Sequence, residues 1–213
     1  MAVSDRWVRE NAADKNESDL SDRKKDILEA ALLTLTEEGY GRFTMRGVAA
    51  RANIHLKSLQ YHFGTKRELI KHMVDYGFVD FDLANFSMIF DERQAVTARQ
   101  QLVEAIDWIM RDIHTNPRTS RFYFEIYAMS MRDEDTAEAV LHIYDVYRRG
   151  FQNLLLRINP TLDEDVAYRR GAIIASITEG IQIYIAQGKV LYDDFEQLVQ
   201  ETQQRVLDIA LAA

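Results

Sequence analysis

The stretch Phe43-Thr44-Met45-Arg46-Gly47-Val48-Ala49-Ala50-Arg51-Ala52-Asn53-Ile54-His55-Leu56-Lys57-Ser58-Leu59-Gln60-Tyr61-His62-Phe63 decides the fold. Thr44 is a natural N-cap, and the pattern behind it predicts a short helix from about Met45 to Ala52, with Val48 and Ala52 on its inner face. Asn53 follows, the residue other than glycine that best tolerates a left-handed turn. A second short helix is expected from about Leu56 to His62. Leu56, Leu59 and Phe63 would face inward, leaving His55, Lys57, Ser58 and Tyr61 largely outward. Two short helices joined by a tight turn, the second one basic, are the layout of a helix-turn-helix. Such a motif needs polar side chains on one face of its second helix, to meet base edges in the major groove. It needs an apolar opposite face to hold that helix in place.

Outward from this stretch the chain reads as helix throughout. Upstream, Ile27, Ala31 and Leu35 recur every four positions beside Leu28 and Leu32, which predicts a helix over 22–38. Ser21 would cap it, Asp22 suits its first turn, and Gly39 is a natural stop. Downstream, Thr65-Lys66-Arg67-Glu68 is a capping box that opens a helix running at least to Phe81, with Leu69, Met73, Tyr76 and Phe78 available for packing. Further helices are expected near 94–114, 118–131, 136–157, 163–186 and 191–211. Asn116-Pro117, Asn159-Pro160 and Gln187-Gly188 punctuate them. No strand-like alternation appears. The expectation is an all-α chain of about nine helices in three parts. Residues 1–20 form a polar tail, with Trp7 available to tack it down. Residues 21–72 form a three-helix DNA-binding domain, and 73–213 a helical bundle.

Composition bounds the rest. The chain has 213 residues, 47% of them apolar, which suffices for a sizeable core. It has no cysteine, so disulfides and thiolate metal sites are excluded and a reducing cytoplasm is the expected compartment. No apolar run reaches the roughly 18 residues of a membrane span, and Met1 to Leu20 lacks the apolar core of a signal peptide. The formal charge is −8. Yet from Tyr40 to His72 seven basic residues (Arg42, Arg46, Arg51, Lys57, Lys66, Arg67 and Lys71) stand against one acid, Glu68. That window carries about +6 and the remainder about −14, a basic module on an acidic body. Taken alone, the same charge pattern also describes an ordinary solvated helix face.

Residues 23–72 resemble the N-terminal domain of the TetR family of transcriptional repressors. The resemblance rests on Ile27-Leu28-Glu29-Ala30-Ala31, Glu38-Gly39-Tyr40, Phe43-Thr44-Met45-Arg46-Gly47-Val48-Ala49, Ala52-Asn53-Ile54, Leu59-Gln60-Tyr61-His62-Phe63 and Lys66-Arg67-Glu68-Leu69-Ile70, in that order and spacing. It implies DNA contact by Thr44 and Arg46 at the start of the first motif helix. It implies the same for His55, Lys57 and Ser58 at the start of the second, for Tyr61 and His62 further along, and for Lys66 as a phosphate clamp. Three positions depart from the family pattern. Asn53 replaces glycine at the turn. His55 replaces a serine-like cap. Gln60 replaces a tyrosine, and its amide suits bidentate reading of adenine instead.

For the remainder, the resemblance implies a bundle that dimerises and encloses a small-molecule effector. Over 163–186 the apolar residues form two stripes, Ile173, Ile177, Gly180 and Tyr184 on one and Ile174, Thr178 and Ile181 on the other. A helix apolar on several faces is buried on several faces. The dimer interface is therefore expected from Ile173, Ile177, Gly180 and Tyr184, with Leu198, Thr202 and Val206 of the last helix. Trp108, Tyr123, Tyr127, Tyr144, Tyr147 and Phe151 are candidates for a ligand pocket, since such rings give an apolar wall with a polar handle; the same residues serve equally as plain core. Asp107, Glu125 and Glu179 lie near them and would favour a cationic ligand.

Two rival classes fit less well. Against an enzyme, there is no phosphate-cradling glycine loop. The histidines at 55, 62, 72, 114 and 142 have no metal-ligand spacing, so neither catalytic residues nor a cofactor or metal is expected. Asp133-Glu134-Asp135 reads as an inter-helix loop. A helical adaptor would explain the long helices but not the basic window. The function expected is a ligand-responsive regulator, a repressor that binds a palindromic operator in double-stranded DNA as a homodimer and is released by a small molecule.

Overall fold

The computed structural model describes residues 22–78, 96–185 and 194–212. Among these the chain is helical throughout: α1 Asp22–Glu38, α2 Met45–Arg51, α3 Leu56–Phe63, α4 Lys66–Phe78, α5 Ala98–Thr115, α6 Pro117–Ser130, α7 Glu134–Ile158, α8 Glu164–Ile185 and α9 Phe195–Leu211, with a 3-10 turn at Tyr40–Arg42. The proposed tail with Trp7, the Ser21 cap, Phe81 and Gln187-Gly188 lie outside the described residues. Two compact units emerge. Of the described residues, one holds 22–78 together with Arg121–Ile143; the other holds 96–120, 144–185 and 194–212.

In the first unit, α1 packs on α2 and α4. Its inner face, Ile27, Leu28, Ala31, Leu32 and Leu35, is completely shielded from solvent, as are Val48 of α2, Leu59 of α3 and Leu69 and Met73 of α4. Burying each large aliphatic chain stabilises the unit by about 1.5–3 kcal/mol. That is what holds three short helices that could not persist alone. Phe122 of α6 seals the far end of α4, edge-on to Phe78 at 5.5 Å. Gly77 leaves room for it, because a Cβ there would come within 2.6 Å of the Phe122 ring.

Of the acids at 133–135, Asp133 lies in the inter-helix connection as expected, but Glu134 and Asp135 do not. The Asp133 carboxylate accepts from the Thr136 backbone N–H at 2.8 Å, and Glu134 and Asp135 form the first turn of α7. An acidic cap followed by acids is favoured where free amides and the positive end of the helix dipole lie.

In the second unit α5 packs on α8 and α9. Leu102, Ile106 and Met110 of α5, Phe151, Leu154 and Leu155 of α7, Ile174 of α8 and Val199 and Val206 of α9 form one apolar cluster. Arg111 ties α5 to α9, donating from both terminal nitrogens to Glu196 at 2.9 Å each, while its Nε donates to Asp107 at 2.8 Å. One buried polar pair is satisfied within the cluster. The Tyr147 and Thr178 hydroxyls meet at 3.0 Å, and Thr178 donates on to the Ala175 carbonyl.

The two stripes read along α8 part company here. Ile174 and Thr178 are buried in the unit's core, whereas Ile173 and Tyr184 are 51% and 62% exposed. On α9 the expectation for Thr202 and Val206 needs correction. Both are buried within the chain itself, Val206 completely, because the α9 face that carries them packs inward.

At Gly171 the α8 backbone runs hard against α7. A Cβ there would lie 2.7 Å from the Arg148 carbonyl oxygen and 3.2 Å from the Gln152 nitrogen. Backbone atoms cannot swing aside as a side chain can, so Gly171→Ala is expected to cost about 1–3 kcal/mol. Urea denaturation would read this as a lower midpoint with an unchanged slope.

Candidate nucleic-acid interface

The corner before the motif is set by Gly39, whose φ of 77° and ψ of 164° are open essentially to glycine alone. Thr44 then caps α2, its hydroxyl accepting from the Gly47 N–H at 3.0 Å. At the other end of α2, Asn53 takes the left-handed conformation with φ 50°. The Ile54 N–H reaches back to the Ala49 carbonyl at 2.9 Å, and the Asn53 N–H reaches the Ala50 carbonyl at 3.1 Å. This pair of bonds is the Schellman motif, with asparagine where glycine is usual. It satisfies the last carbonyls of α2 and turns the chain into α3.

Only Leu59 and Phe63 of α3 are fully buried, and Leu56 is partly so. Lys57, Gln60 and Tyr61 are exposed, and their i, i+3, i+4 spacing gives them one face. Tyr61 is 86% exposed. Leaving a large aromatic ring in water is tolerable for stability but is far from its commonest setting. Its edge meets the His62 ring, centroids 5.4 Å apart. Ser58 and His62 are half-buried on the flanks. His55 stands at the N-cap with an exposed side chain that makes no capping hydrogen bond.

The capping box at the start of α4 forms as the spacing predicts. The Thr65 hydroxyl accepts from the Glu68 N–H at 3.2 Å, and the Glu68 carboxylate accepts from the Thr65 N–H at 3.3 Å. Lys66 Nζ sits 4.4 Å above the Tyr40 ring and 5.5 Å from that of Phe43. Partial burial there lowers its pKa from the usual lysine value.

The basic window is less uniform than its sequence. Arg51 donates to Glu37 at 2.6 Å and to Glu38 at 2.7 Å, and these bonds raise its pKa further. Arg67 donates through Nε to Asp135 at 2.5 Å, which holds that carboxyl below the ordinary aspartate range. Two of the seven cations are thus neutralised inside the unit. Arg42, Arg46 and Lys57 remain exposed along the motif.

The structure therefore gathers Thr44, Arg46, His55, Lys57, Ser58, Gln60, Tyr61, His62 and Lys66 on α2, α3 and the start of α4. It does not gather the six aromatic candidates for a pocket. Tyr123 and Tyr127 belong to the first unit, Tyr123 tilted against both Phe78 and Tyr127, while Trp108, Tyr144, Tyr147 and Phe151 belong to the apolar cluster of the second. Of the carboxylates expected near them, Asp107 serves Arg111, and Glu125 accepts the Tyr40 N–H at 2.9 Å. Asp112 was not among the candidates. It is the acid whose pKa burial raises, against hydrogen bonds from Thr119 and Asn116 that lower it. Close to it in sequence, the Ser120 hydroxyl is buried without a hydrogen-bond partner among the described residues. Only burial could have singled out these two.

Comparison with known proteins points the same way. Residues 27–73 match the family model described as bacterial regulatory proteins, tetR family. The HTH-type transcriptional regulator BetI of Agrobacterium fabrum is 25% identical over 169 residues, 76% of this chain and 75% of that one. Among solved structures, a transcriptional regulator from a Rhodococcus species superposes with a TM-score of 0.74 at 18% identity, covering 88% of this chain and 97% of the other. A TetR transcription regulator from Haloarcula marismortui gives 0.72 at 18% identity, covering 90% and 97%. At such identities the superpositions speak for the fold.

The uncapped start of α3 yields a prediction. His55→Ser supplies the missing acceptor and is expected to stabilise the protein by roughly 0.5–1 kcal/mol. Thermal and urea denaturation would show it as a raised midpoint. A midpoint equal to the parent's would mean that the first amides of α3 are already satisfied.

Proposed function

The chain belongs to the TetR family of bacterial regulatory proteins, and we propose that it is a repressor that holds a palindromic operator as a homodimer and lets go when a small molecule binds its helical body. DNA binding itself follows from the family. The observation that carries the rest is the division of α3 into a buried seam, Leu59 and Phe63, and an exposed face of Lys57, Gln60 and Tyr61. That face is polar, basic and unshielded, as reading bases in the major groove requires. Lys57 and Gln60 are assigned to base edges; Thr44, Arg46, Tyr61 and Lys66 to the backbone; and His55, Ser58 and His62 to the flanks.

Dimerisation is assigned to the outer stripe of α8. Ile173, Ile177, Gly180 and Tyr184 follow one another at helical spacing, and a Cβ on Gly180 would meet nothing within 4 Å. An apolar stripe left open on a long helix favours a second copy of the same helix across a two-fold axis. Such an axis would also set two recognition helices one DNA turn apart, about 34–36 Å. Leu198 of α9 flanks this stripe in the proposal.

The effector is assigned to the second unit. Ser120, with its buried hydroxyl, and Asp112, a half-buried acid, are the polar groups of this unit offered to a ligand, and Trp108, Tyr144 and Phe151 of its apolar cluster are the proposed wall. A ligand that prefers the arrangement incompatible with operator spacing would shift the population and release DNA.

Three measurements test this. Footprinting and anisotropy on the DNA upstream of its own gene should show a protected palindrome and affinity that falls steeply with salt. Lys57→Ala should shrink the preference for operator over random duplex by about 1–3 kcal/mol, whereas Lys66→Ala should weaken all duplexes about equally and flatten the salt slope by about 1. Equal behaviour of the two variants would overturn the division between base reading and phosphate clamping. Paired Ile173→Glu and Tyr184→Glu should yield a monomer by light scattering; a persisting dimer would place the interface elsewhere.

A further inference from the structure

The DNA-facing residues are tied to a part of the chain remote in sequence but within the same unit. Tyr40 donates its backbone N–H to Glu125 Oε2 of α6 at 2.9 Å, across 85 residues. The other carboxylate oxygen lies 3.0 Å from where a Cβ on Gly39 would stand, so a side chain at 39 would press this carboxylate aside. Tyr40 in turn lies with its ring under Lys66 Nζ at 4.4 Å. One residue further along α4, Arg67 is bound by Asp135 of α7. The segment from Glu125 to Asp135 therefore grips the motif twice, at its entry corner and at the start of α4.

We infer that Glu125 is a positioning residue for DNA binding: it fixes the Gly39-Tyr40 corner, and through the Tyr40 ring it holds the Lys66 ammonium where a phosphate must meet it. The inference rests on the assignment of Lys66 to a phosphate. Its physical basis is orientational. A lysine has a flexible four-carbon stem, and a charge resting on an aromatic face gives up less freedom on binding than one waving in water. The ring can serve as that platform only if the backbone carrying it is fixed. The 3-10 turn holds this backbone locally, through the Arg42 N–H on the Gly39 carbonyl and the Phe43 N–H on the Tyr40 carbonyl, and the Glu125 bond to the Tyr40 N–H anchors that turn to α6.

The sign of the effect separates this role from simple electrostatics. Deleting an acid from a DNA-binding unit should strengthen binding to a polyanion. Loss of a positioning residue should weaken it. Glu125→Ala is therefore expected to bind operator and random duplex roughly threefold to tenfold more weakly. Glu125→Gln keeps an acceptor for the Tyr40 N–H while losing the charge, and should bind at least as tightly as the parent. Because Glu125 acts through Lys66, combining Glu125→Ala with Lys66→Ala should weaken binding no more than Lys66→Ala alone.

The test is fluorescence anisotropy on the full-length chain across a salt series for the parent, the three single variants and the double variant, with thermal melts alongside. Glu125→Ala binding as tightly as the parent or tighter, or effects of the two alanine variants that multiply, would overturn the inference while leaving the Lys66 assignment standing. Lys66→Ala binding as the parent does would overturn both. Should Glu125→Ala melt too low to assay, Tyr40→Leu, which keeps the backbone bond and removes the ring, must show the threefold to tenfold loss expected of Glu125→Ala and add nothing to Lys66→Ala, and parent-like binding by it would overturn the inference.

Discussion

Everything the interface can do depends on two side chains, Leu59 and Phe63, being buried beneath an eight-residue helix. A helix of two turns has too few internal hydrogen bonds to offset its own ordering entropy in water. It exists because these two residues are buried in a seat where α3 packs on α2 and α4, themselves held by the shielded inner face of α1. The seat also fixes rotation about the helix axis. With Leu59 and Phe63 inside, Lys57, Gln60 and Tyr61 must be outside, and no other face of α3 could be offered. A polar substitution at Leu59 would thus strike recognition through orientation before it touched any DNA contact.

Around that seat, charge is sorted rather than merely accumulated. The basic window looks like a continuous cationic band in sequence. In space Arg51 is held by two glutamates of α1, and Arg67 by an aspartate of α7. These arginines serve the unit's own cohesion, as bidentate and forked donors are suited to do. What stays available for phosphate is the more isolated set, Arg42, Arg46, Lys57 and Lys66. The acidic remainder of the chain has a related consequence. It keeps net charge well away from the positive values that drive indiscriminate nucleic-acid binding, leaving the cationic face to act locally.

How much of this was legible in the sequence follows the range of the interactions. Local rules held nearly residue by residue. Thr44 caps α2, Asn53 turns left-handed, Thr65 and Glu68 close their box, and Gly39 ends α1 at positive φ, because each depends on neighbours within five positions. The helices also follow from periodicity, with boundaries shifted by a few residues where Thr97 and Asp133 proved to be the caps. Long-range partners were not legible. Nothing near Glu125 signals the Tyr40 amide 85 residues away, and a carboxylate among aromatic residues suggested a ligand contact instead. The same blindness affected α9. Thr202 and Val206 share a helical stripe that periodicity marks as buried, but periodicity does not say whether the covering surface belongs to the same chain or to a second copy. The aromatic candidates were legible as rings but not by the unit each belongs to. Compositional clustering along a helix does not reveal that α6 and α7 each divide their side chains between two cores.

The ties that hold the motif are exposed and individually weak, and that weakness is itself consistent with regulation. A surface ion pair such as Arg67–Asp135 and a solvent-reached bond such as Glu125 to Tyr40 gain little over hydration. The apolar contact of Phe122 with Phe78 and Gly77 cannot be parted without exposing apolar surface, whereas the polar ties can be remade without doing so. A bound small molecule can shift an equilibrium only by the difference between its affinities for the two states. A few kcal/mol of differential binding can overcome polar ties of this kind, but not an extended apolar seam. The arrangement therefore separates two requirements. The seat under Leu59 and Phe63 is apolar, buried and built to persist, so the recognition helix stays folded in either state. On the proposed release by a small molecule, polar ties such as those at Tyr40 and Arg67 are the contacts that a few kcal/mol of differential binding would remake while the motif stays folded.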